Sequence, residues 1–128
     1  MRRAILLALP LMIFAGCGMS KKQWQSKVAE DRAAYLAQWG DEIPEHVKTN
    51  ILEGKICKGM TRNQVMLAWP HEVKYDGYYW AEPYRHSSGM SALELRWWDY
   101  YYDFGHTLYT LYFDEKGELT DWFKWEDR

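Results

Sequence analysis

The spacing of apolar positions changes once along the chain, near residue 73. Before that point the apolar residues follow a helical period, and one stripe of about 3.6-residue spacing crosses the segment 22–39. Its members lie at i, i+4, i+11 and i+15: Trp24, Val28, Tyr35 and Trp39. We predict a helix over 22–39 that Gly40 ends as a C′ glycine. We interpret the stripe as core, and the alternative is a partner-binding surface.

Two shorter helices are predicted next. Pro44 at a first helical position and Gly54 after the last turn frame a helix with Val47 and Ile51 on one face. Alternatively, this helix and the third predicted helix are two halves of one broken helical segment.

The third predicted helix has the clearest start in the chain. Thr61 is a suitable N-cap, and Gln64 three residues later completes a capping box. Met60 and Val65 stand at the positions of a hydrophobic staple. Pro70 stops the helix, because the residue before a proline is disfavoured in the α region.

Beyond residue 73 apolar and polar residues alternate, which predicts β-strands. A phase change near Trp97-Trp98 predicts a β-bulge there. Gly105-His106 is predicted to turn the chain, and Gly117 to close a hairpin with positive φ. The predicted strands are 73–80, 93–104, 107–113 and an edge strand over 119–125. A loop is predicted over 81–91. The predicted fold is two-layer α+β, with N-terminal helices packed on a three- to four-stranded antiparallel meander.

The N-terminal segment has the pattern of a secretory signal. Arg2-Arg3 precedes an apolar run over 4–14 that is too short to span a bilayer. Phe14-Ala15-Gly16-Cys17 then resembles a bacterial lipobox, which implies cleavage before Cys17 and acylation of its thiol and new α-amine. The alternatives are an ordinary secretory signal with an incidental cysteine, or an uncut anchor.

The lipobox divides the chain into three parts. Residues 1–16 form the signal peptide, 17–22 a lipidated tether and 23–128 a single domain. Two or more acyl chains hold a protein firmly on a membrane. Gly18, where some lipoproteins have Asp, favours the outer membrane by resemblance to lipoproteins of double-membraned bacteria. We therefore expect a domain that faces the periplasm.

Composition and net charge limit the classes of partner that we expect. Aromatic residues make up 17% of the chain, which favours a packed globule. Without residues 1–16, which hold Arg2 and Arg3 and no acid, the formal charge falls from −2 to −4. No basic patch stands out, so we expect no nucleic-acid partner.

The second cysteine of the chain is Cys57. With Cys17 acylated it has no partner for an internal disulfide. Lys55 and Lys58 would favour its thiolate if it were exposed. We favour the alternative, a small buried apolar residue.

The block Gly59-Met60-Thr61-Arg62-Asn63-Gln64-Val65, after helices and before an aromatic meander, resembles the SmpA/OmlA family, also called BamE-like. The resemblance covers about residues 40–125. Family members usually continue with a short apolar run, Gly, one residue and Pro, whereas here Trp69 runs directly into Pro70, which marks a divergent member. The resemblance implies an αα-βββ fold, an outer-membrane lipoprotein and a non-catalytic accessory role in inserting β-barrels. It carries over no contact residues.

The sequence offers weak candidates for catalysis. Four histidines are far apart without ligand-like spacing: His46, His71, His86 and His106. A hydrolase site at His86-Ser87-Ser88-Gly89 lacks an evident orienting acid. Asp99 and Asp103, predicted on one strand face, suit acid–base work, but we interpret them as solvated carboxylates. We expect no enzyme activity, no cofactor and no metal.

An aromatic ladder on the predicted strands is the better functional candidate. The proposed binding residues are Trp98, Tyr100, Tyr102 and Trp122, with Tyr109 and Trp125 beside them. An exposed aromatic patch marks an interaction site, and the alternative is a core of large residues. Our hypothesis is a membrane-anchored accessory module that contacts an envelope protein. The alternative is a periplasmic binding or inhibitor-type module that holds a peptide, glycan or protein on the aromatic sheet face.

Overall fold

The computed structural model describes residues 19–125, which form helices followed by one antiparallel sheet. The predicted two-layer α+β fold is therefore confirmed. The helices are α1 (Lys21–Trp39), α2 (Glu45–Glu53), α3 (Arg62–Ala68) and α4 (Val73–Asp76), with a 3₁₀ turn over Gly40–Glu42. The strands are β1 (Tyr78–Trp80), β2 (Tyr84–Arg85), β3 (Ser91–Asp99), β4 (Phe104–Phe113) and β5 (Leu119–Lys124). The signal sequence and Cys17 lie outside the described residues.

The sheet has the order β1-β3-β4-β5, and β2 pairs with the first residues of β3. β5 lies at one edge as predicted, and Gly117 closes the hairpin before it with φ 82°. The helical layer contributes to a core against β3, β4 and β5. Its buried residues are Val47, Ile51, Met60, Val65, Ala68, Leu93, Leu111, Phe113 and Leu119. Within residues 19–125 no helix is long and apolar enough to cross a membrane.

The start of α3 has the predicted capping box. The Gln64 amide N–H donates to Thr61 Oγ1 at 3.2 Å, and the Thr61 N–H donates to Gln64 Oε1 at 2.9 Å. Met60 and Val65, the predicted staple, are both fully buried. α2 also ends at Gly54 as predicted, with φ 72°. α2 and α3 are separate helices and not one broken segment.

α1 ends at Trp39 as predicted, but the interpretation of Gly40 and of the stripe needs correction. Gly40 has right-handed φ −56° and continues into the 3₁₀ turn, because its amide still donates to the Leu36 carbonyl. No residue of α1 is fully buried, and Trp39 is 40% exposed. The stripe therefore lies at the margin of the core. A capping box between Ser20 and Gln23 starts the helix, and sequence reasoning missed it.

The predicted strand over 73–80 is wrong in its first half. Val73–Asp76 forms the single helical turn α4, and Gly77 ends it with φ 80°. The Asp76 carboxylate caps this turn by accepting the Glu72 and Tyr78 amide N–H groups at 3.2 and 3.0 Å. Local capping by Asp76 therefore outweighs the β-propensity of the sequence.

The predicted strand over 93–104 is also wrong, because a turn over 100–103 divides it into β3 and β4. Asp99 pairs with Phe104 across this turn, and Asp103 takes the left-handed φ of 58° that closes it. Gly105 and His106, predicted to turn the chain, lie in β4 and pair with Trp98 and Trp97. The bulge lies opposite Leu95/Arg96, with the extra residue on β4, and not at Trp97-Trp98.

Candidate interaction surfaces

The structure separates the four predicted binding residues. Tyr100 and Tyr102 are 67% and 63% exposed in the β3–β4 turn. Trp98 is half-buried, and its ring packs against that of Tyr79 at 5.9 Å. Trp122 is half-buried against the core on the opposite side of the sheet from Trp98, because it pairs with Leu111. The four residues therefore do not form one site.

Two neighbouring surfaces are exposed and aromatic. The first, which we call the aromatic turn, comprises Trp97, Tyr100, Tyr101, Tyr102 and Phe104. Tyr101 is its most exposed member at 85%. A row of ring contacts links Trp97 to His106 at 5.4 Å, His106 to Phe104 at 4.6 Å and Phe104 to Tyr102 at 6.0 Å. Sequence reasoning missed three members, Trp97, Tyr101 and Phe104, because a single strand over 93–104 hides the turn that exposes them.

Asp99 holds the aromatic turn in shape. Its carboxylate accepts the amide N–H groups of Tyr101 and Tyr102 at 3.0 and 3.4 Å, and its carbonyl accepts the Asp103 N–H at 2.8 Å. His106 Nε2 lies 3.3 Å from the other Asp99 oxygen. The idea of an Asp99–Asp103 acid–base pair on one strand face is wrong, since Asp103 belongs to the turn. Asp99 instead organises the loop.

The second surface, which we call the open sheet face, lies opposite the core. Its exposed aromatic residues are Tyr84, Phe123 and Trp125, at 41%, 51% and 48%. The rings of Phe123 and Trp125 meet edge to face at 5.0 Å. The Trp125 indole N–H donates to Thr110 Oγ1 at 2.8 Å, which fixes that ring over the centre of the sheet. Helices α1, α2 and α3 all contribute to the core on the other face.

A hydrogen-bonded carboxylate lies at the middle of the open sheet face. Glu94 accepts from Arg96 Nε at 3.0 Å, from Arg96 Nη2 at 2.9 Å, from Tyr84 Oη at 2.9 Å and from Thr107 Oγ1 at 3.0 Å. Burial opposes ionisation of Glu94, but these hydrogen bonds outweigh it and hold the pKa of its carboxyl below the ordinary value. Burial, the bond to Glu94 and the negative charge of Glu94 raise the pKa of Tyr84. The network orders the face that carries the exposed rings.

A cleft of about 400 Å³ opens between the ends of the helices and the sheet. Aromatic residues line one side of it, with Trp69 edge to face on Tyr109 at 5.0 Å and His71 edge to face on Tyr78 at 5.5 Å. Arg32 lines the other side. Its guanidinium donates to the carbonyls of Leu67 and Ala68 at the end of α3, so its charge is already engaged.

The structure brings together only neighbouring residues at the hydrolase candidate around His86. His86 Nδ1 lies 3.0 Å from Ser88 Oγ and also accepts the Ser88 amide N–H at 3.1 Å. The His86 ring packs edge to face on Tyr112 at 5.1 Å. This arrangement is a turn stabilised by its own side chains. Among residues 19–125, no three His, Cys, Asp or Glu side chains gather as a metal-binding group.

Cys57 is half-buried and packs against the core. Burial raises the pKa of its thiol, although a hydrogen bond with Asn50 works in the opposite direction. Lys55 pairs with Glu53 at 3.4 Å. The environment of Cys57 therefore favours the neutral thiol, as expected for a small packing residue.

Comparison with known proteins identified no relative of this chain. No family model, curated protein or solved structure matches this chain. The likeness to the BamE-like family accordingly stays a prediction from the block 59–65, which in the structure forms the entry into α3 and its first turn.

Proposed function

We propose that this protein is a non-enzymatic lipoprotein of the bacterial outer membrane, anchored through Cys17, with its domain in the periplasm. Its role is that of a scaffold or accessory module that contacts an envelope protein, with β-barrel assembly as the process that the BamE-like resemblance suggests. The lipobox, the Gly-Met-Thr…Gln-Val block and the order of helices before sheet support this proposal.

The open sheet face is the observation that carries the accessory role. It presents Tyr84, Phe123 and Trp125 to solvent beside the ordered Glu94 network. Protein interfaces are enriched in aromatic residues and arginine, and their polar groups are paired. This face combines both features on a rigid support.

Photo-crosslinking tests the partner contact. In cells that express the full chain, Phe123→benzoylphenylalanine is expected to give one discrete adduct with an envelope protein. Trp122→benzoylphenylalanine is the matched control, because the neighbouring residue points toward the core side of the same strand. Equal patterns at the two positions, or no protein adduct at Phe123 and at Tyr84, would remove the open sheet face as the partner surface.

A separate experiment tests the anchor. The mature protein is expected to begin at Cys17 and to carry the mass of its acyl chains. Cys17→Ser should lose the acyl mass and retain residues 1–16, because cleavage before residue 17 follows acylation of the thiol. A mature protein of unmodified mass, or a Cys17→Ser variant that is cleaved normally and remains on the membrane, would overturn the lipoprotein assignment.

The cleft supports a second candidate, a periplasmic module that holds a peptide or glycan. Its aromatic walls, Trp69, Tyr78 and Tyr109, are suited to stacking on such ligands. Addition of short peptides and oligosaccharides to the labelled protein should then shift the NMR signals of the Trp69 indole. The Trp125 indole reports on the open sheet face, so a shift at Trp69 without one at Trp125 places the ligand in the cleft. No shift at the Trp69 indole would dismiss this candidate for the ligands tested.

A further inference from the structure

The described chain begins beside the aromatic turn. The Tyr75 hydroxyl of α4 donates to the Met19 carbonyl, and the Trp24 ring stacks on Tyr75 at 5.4 Å. On the same helical turn, the Val73 carbonyl accepts the Tyr100 hydroxyl at 3.0 Å. α4 therefore contacts both the start of the described chain and the aromatic turn. Since α4 has four residues and is only about 6 Å long, the two contacts belong to one end of the molecule.

The proposed lipid attachment point lies at the same end. Cys17 precedes Met19 by two residues, so their α-carbons are at most about 7.6 Å apart. Once its acyl chains enter a bilayer, the headgroup region must lie close to Met19. The bilayer surface is thereby brought close to α4 and to the aromatic turn that contacts it.

The side chains of the turn suit that location. Tyrosine and tryptophan concentrate at membrane–water interfaces, because each has an apolar ring and a polar group that stays hydrated. Tyr100, Tyr101 and Tyr102 are consecutive and all more than 60% exposed. Asp99 fixes the backbone that presents them, so little conformational entropy would be lost on insertion.

Charge at this end is mixed. The exposed charged residues are Lys21 and Lys22 at the start of α1, Glu72 and Lys74 at α4, and Asp103 in the aromatic turn's loop. Attraction to anionic headgroups would therefore be partly cancelled. The aromatic rings remain as the groups that favour the bilayer, and they do so equally on a zwitterionic surface.

We propose that the aromatic turn is a membrane-interface contact, and that its tyrosines rest in the headgroup region of the bilayer that holds Cys17. This inference rests on the proposed anchoring at Cys17. The acyl chains supply the affinity, so the turn needs only to orient a domain that is already held at high local concentration. The domain then stands with the β4–β5 hairpin away from the membrane.

Lipid photo-crosslinking in a defined membrane tests the orientation. The acylated mature protein, with Tyr101→benzoylphenylalanine, is reconstituted in phosphatidylcholine vesicles, and lipid adducts are measured by mass spectrometry. Glu115→benzoylphenylalanine is the matched control, because it lies on the β4–β5 hairpin at the other end of β4. β4 has ten residues and is about 33 Å long, so we expect at least about a fivefold excess of phosphatidylcholine adducts at Tyr101.

Two further measurements separate the possible failures. A flexible Gly/Ser insertion of about ten residues between Gly18 and Met19 should lower the Tyr101 adduct yield, because it releases the turn from the surface. Equal yields at Tyr101 and Glu115 on a protein that carries acyl chains would overturn this inference and leave the anchor in place. Absence of acyl chains from Cys17 would instead overturn the proposed function. In cells, a protein adduct at Tyr101 that replaces the lipid adduct would assign the turn to a partner and also overturn the inference.

Discussion

The side chain of Tyr79 on β1 lies against the backbone of Gly105 on β4, two strands away in the sheet. A Cβ at residue 105 would lie 2.9 Å from Cζ of Tyr79 and closer still to the hydroxyl oxygen. Glycine is required here because an aromatic side chain occupies the space that a methyl group would take. The same ring packs edge to face on Trp98, so this contact orders one side of the open sheet face.

Gly105→Ala is expected to destabilise the protein by about 1–3 kcal/mol, because either Tyr79 or the strand must move. Urea unfolding measures the change. In the Tyr79→Ala background the same substitution should cost much less. Gly40→Ala is the control: its nearest neighbour is 3.7 Å away and its φ is helical, so it should be neutral or stabilising by about 0.5–1 kcal/mol. Equal costs of Gly105→Ala in both backgrounds would contradict the clash.

Arg32→Ala is expected to lower the free energy of unfolding by about 1–3 kcal/mol, because the guanidinium satisfies two carbonyls at the end of α3. Arg32→Lys should recover only part of that loss, since an ammonium cannot reproduce the planar two-donor geometry. Lys27→Ala breaks an exposed pair with Asp31 on the same helix and should cost at most about 0.5 kcal/mol. A loss for Arg32→Ala no larger than that for Lys27→Ala would show that the bridge to α3 is not stabilising.

The two capping boxes are expected to differ in their effect on global stability. Thr61→Ala should cost about 1–2 kcal/mol, because Thr61 starts a helix whose first turn holds two buried residues. Ser20→Ala removes the corresponding side-chain bond, in which Ser20 Oγ accepts the Gln23 N–H, from an exposed helix start. It should cost under about 0.5 kcal/mol, since that end can fray alone. Thermal unfolding of both variants measures the difference. Equal losses would mean that the first turn of α1 unfolds together with the core.

Glu94→Gln is expected to reduce stability near neutral pH, because it removes the charge that Arg96, Tyr84 and Thr107 bind. The folded state holds the pKa of Glu94 below its ordinary value of 4.5. The stabilisation that ionised Glu94 gives the folded state is therefore fully present above its pKa in the unfolded state. It is lost as pH falls through the lower pKa of the folded state. Urea unfolding of both proteins from neutral pH down into that acidic range should show the two stabilities converge.

Glu115→Gln, on the exposed β4–β5 hairpin, is the matched control for charge loss. It should change stability little near neutral pH. A difference between Glu94→Gln and wild type that stays constant across the whole acid range would contradict a stabilising role for the ionised form.

The parts of the fold that local chemistry decides were predictable. Thr61 and Gln64 cap α3 through atoms three residues apart, and Gly54 and Gly117 provide the positive φ that a helix end and a hairpin need. The aromatic turn was not predictable in this way. Its alternating pattern reads as one strand from Leu93 to Phe104, and no Gly or Pro interrupts it.

The candidate surfaces depended on tertiary structure for the same reason. Trp98 and Trp122 each stand next to an exposed aromatic residue in the sequence, Trp97 and Phe123. In the structure the Tyr79 ring packs on Trp98, and Trp122 packs against the core. Exposure of Tyr101 follows from where β3 ends, and that end is set by pairing of Asp99 with Phe104 across the turn.

The sequence by itself determined the α-then-β order, the capped start of α3, the turns at Gly54 and Gly117, and the lipobox-like segment that motivates the proposed anchor. Each of these depends on residues a few positions apart, whose interactions do not change with the rest of the fold. Only the tertiary structure decided where β3 turns into β4, which aromatic rings are exposed, and that α4 joins Met19 to Tyr100. Those features depend on strand register and on contacts between residues distant in sequence, which a local pattern does not encode.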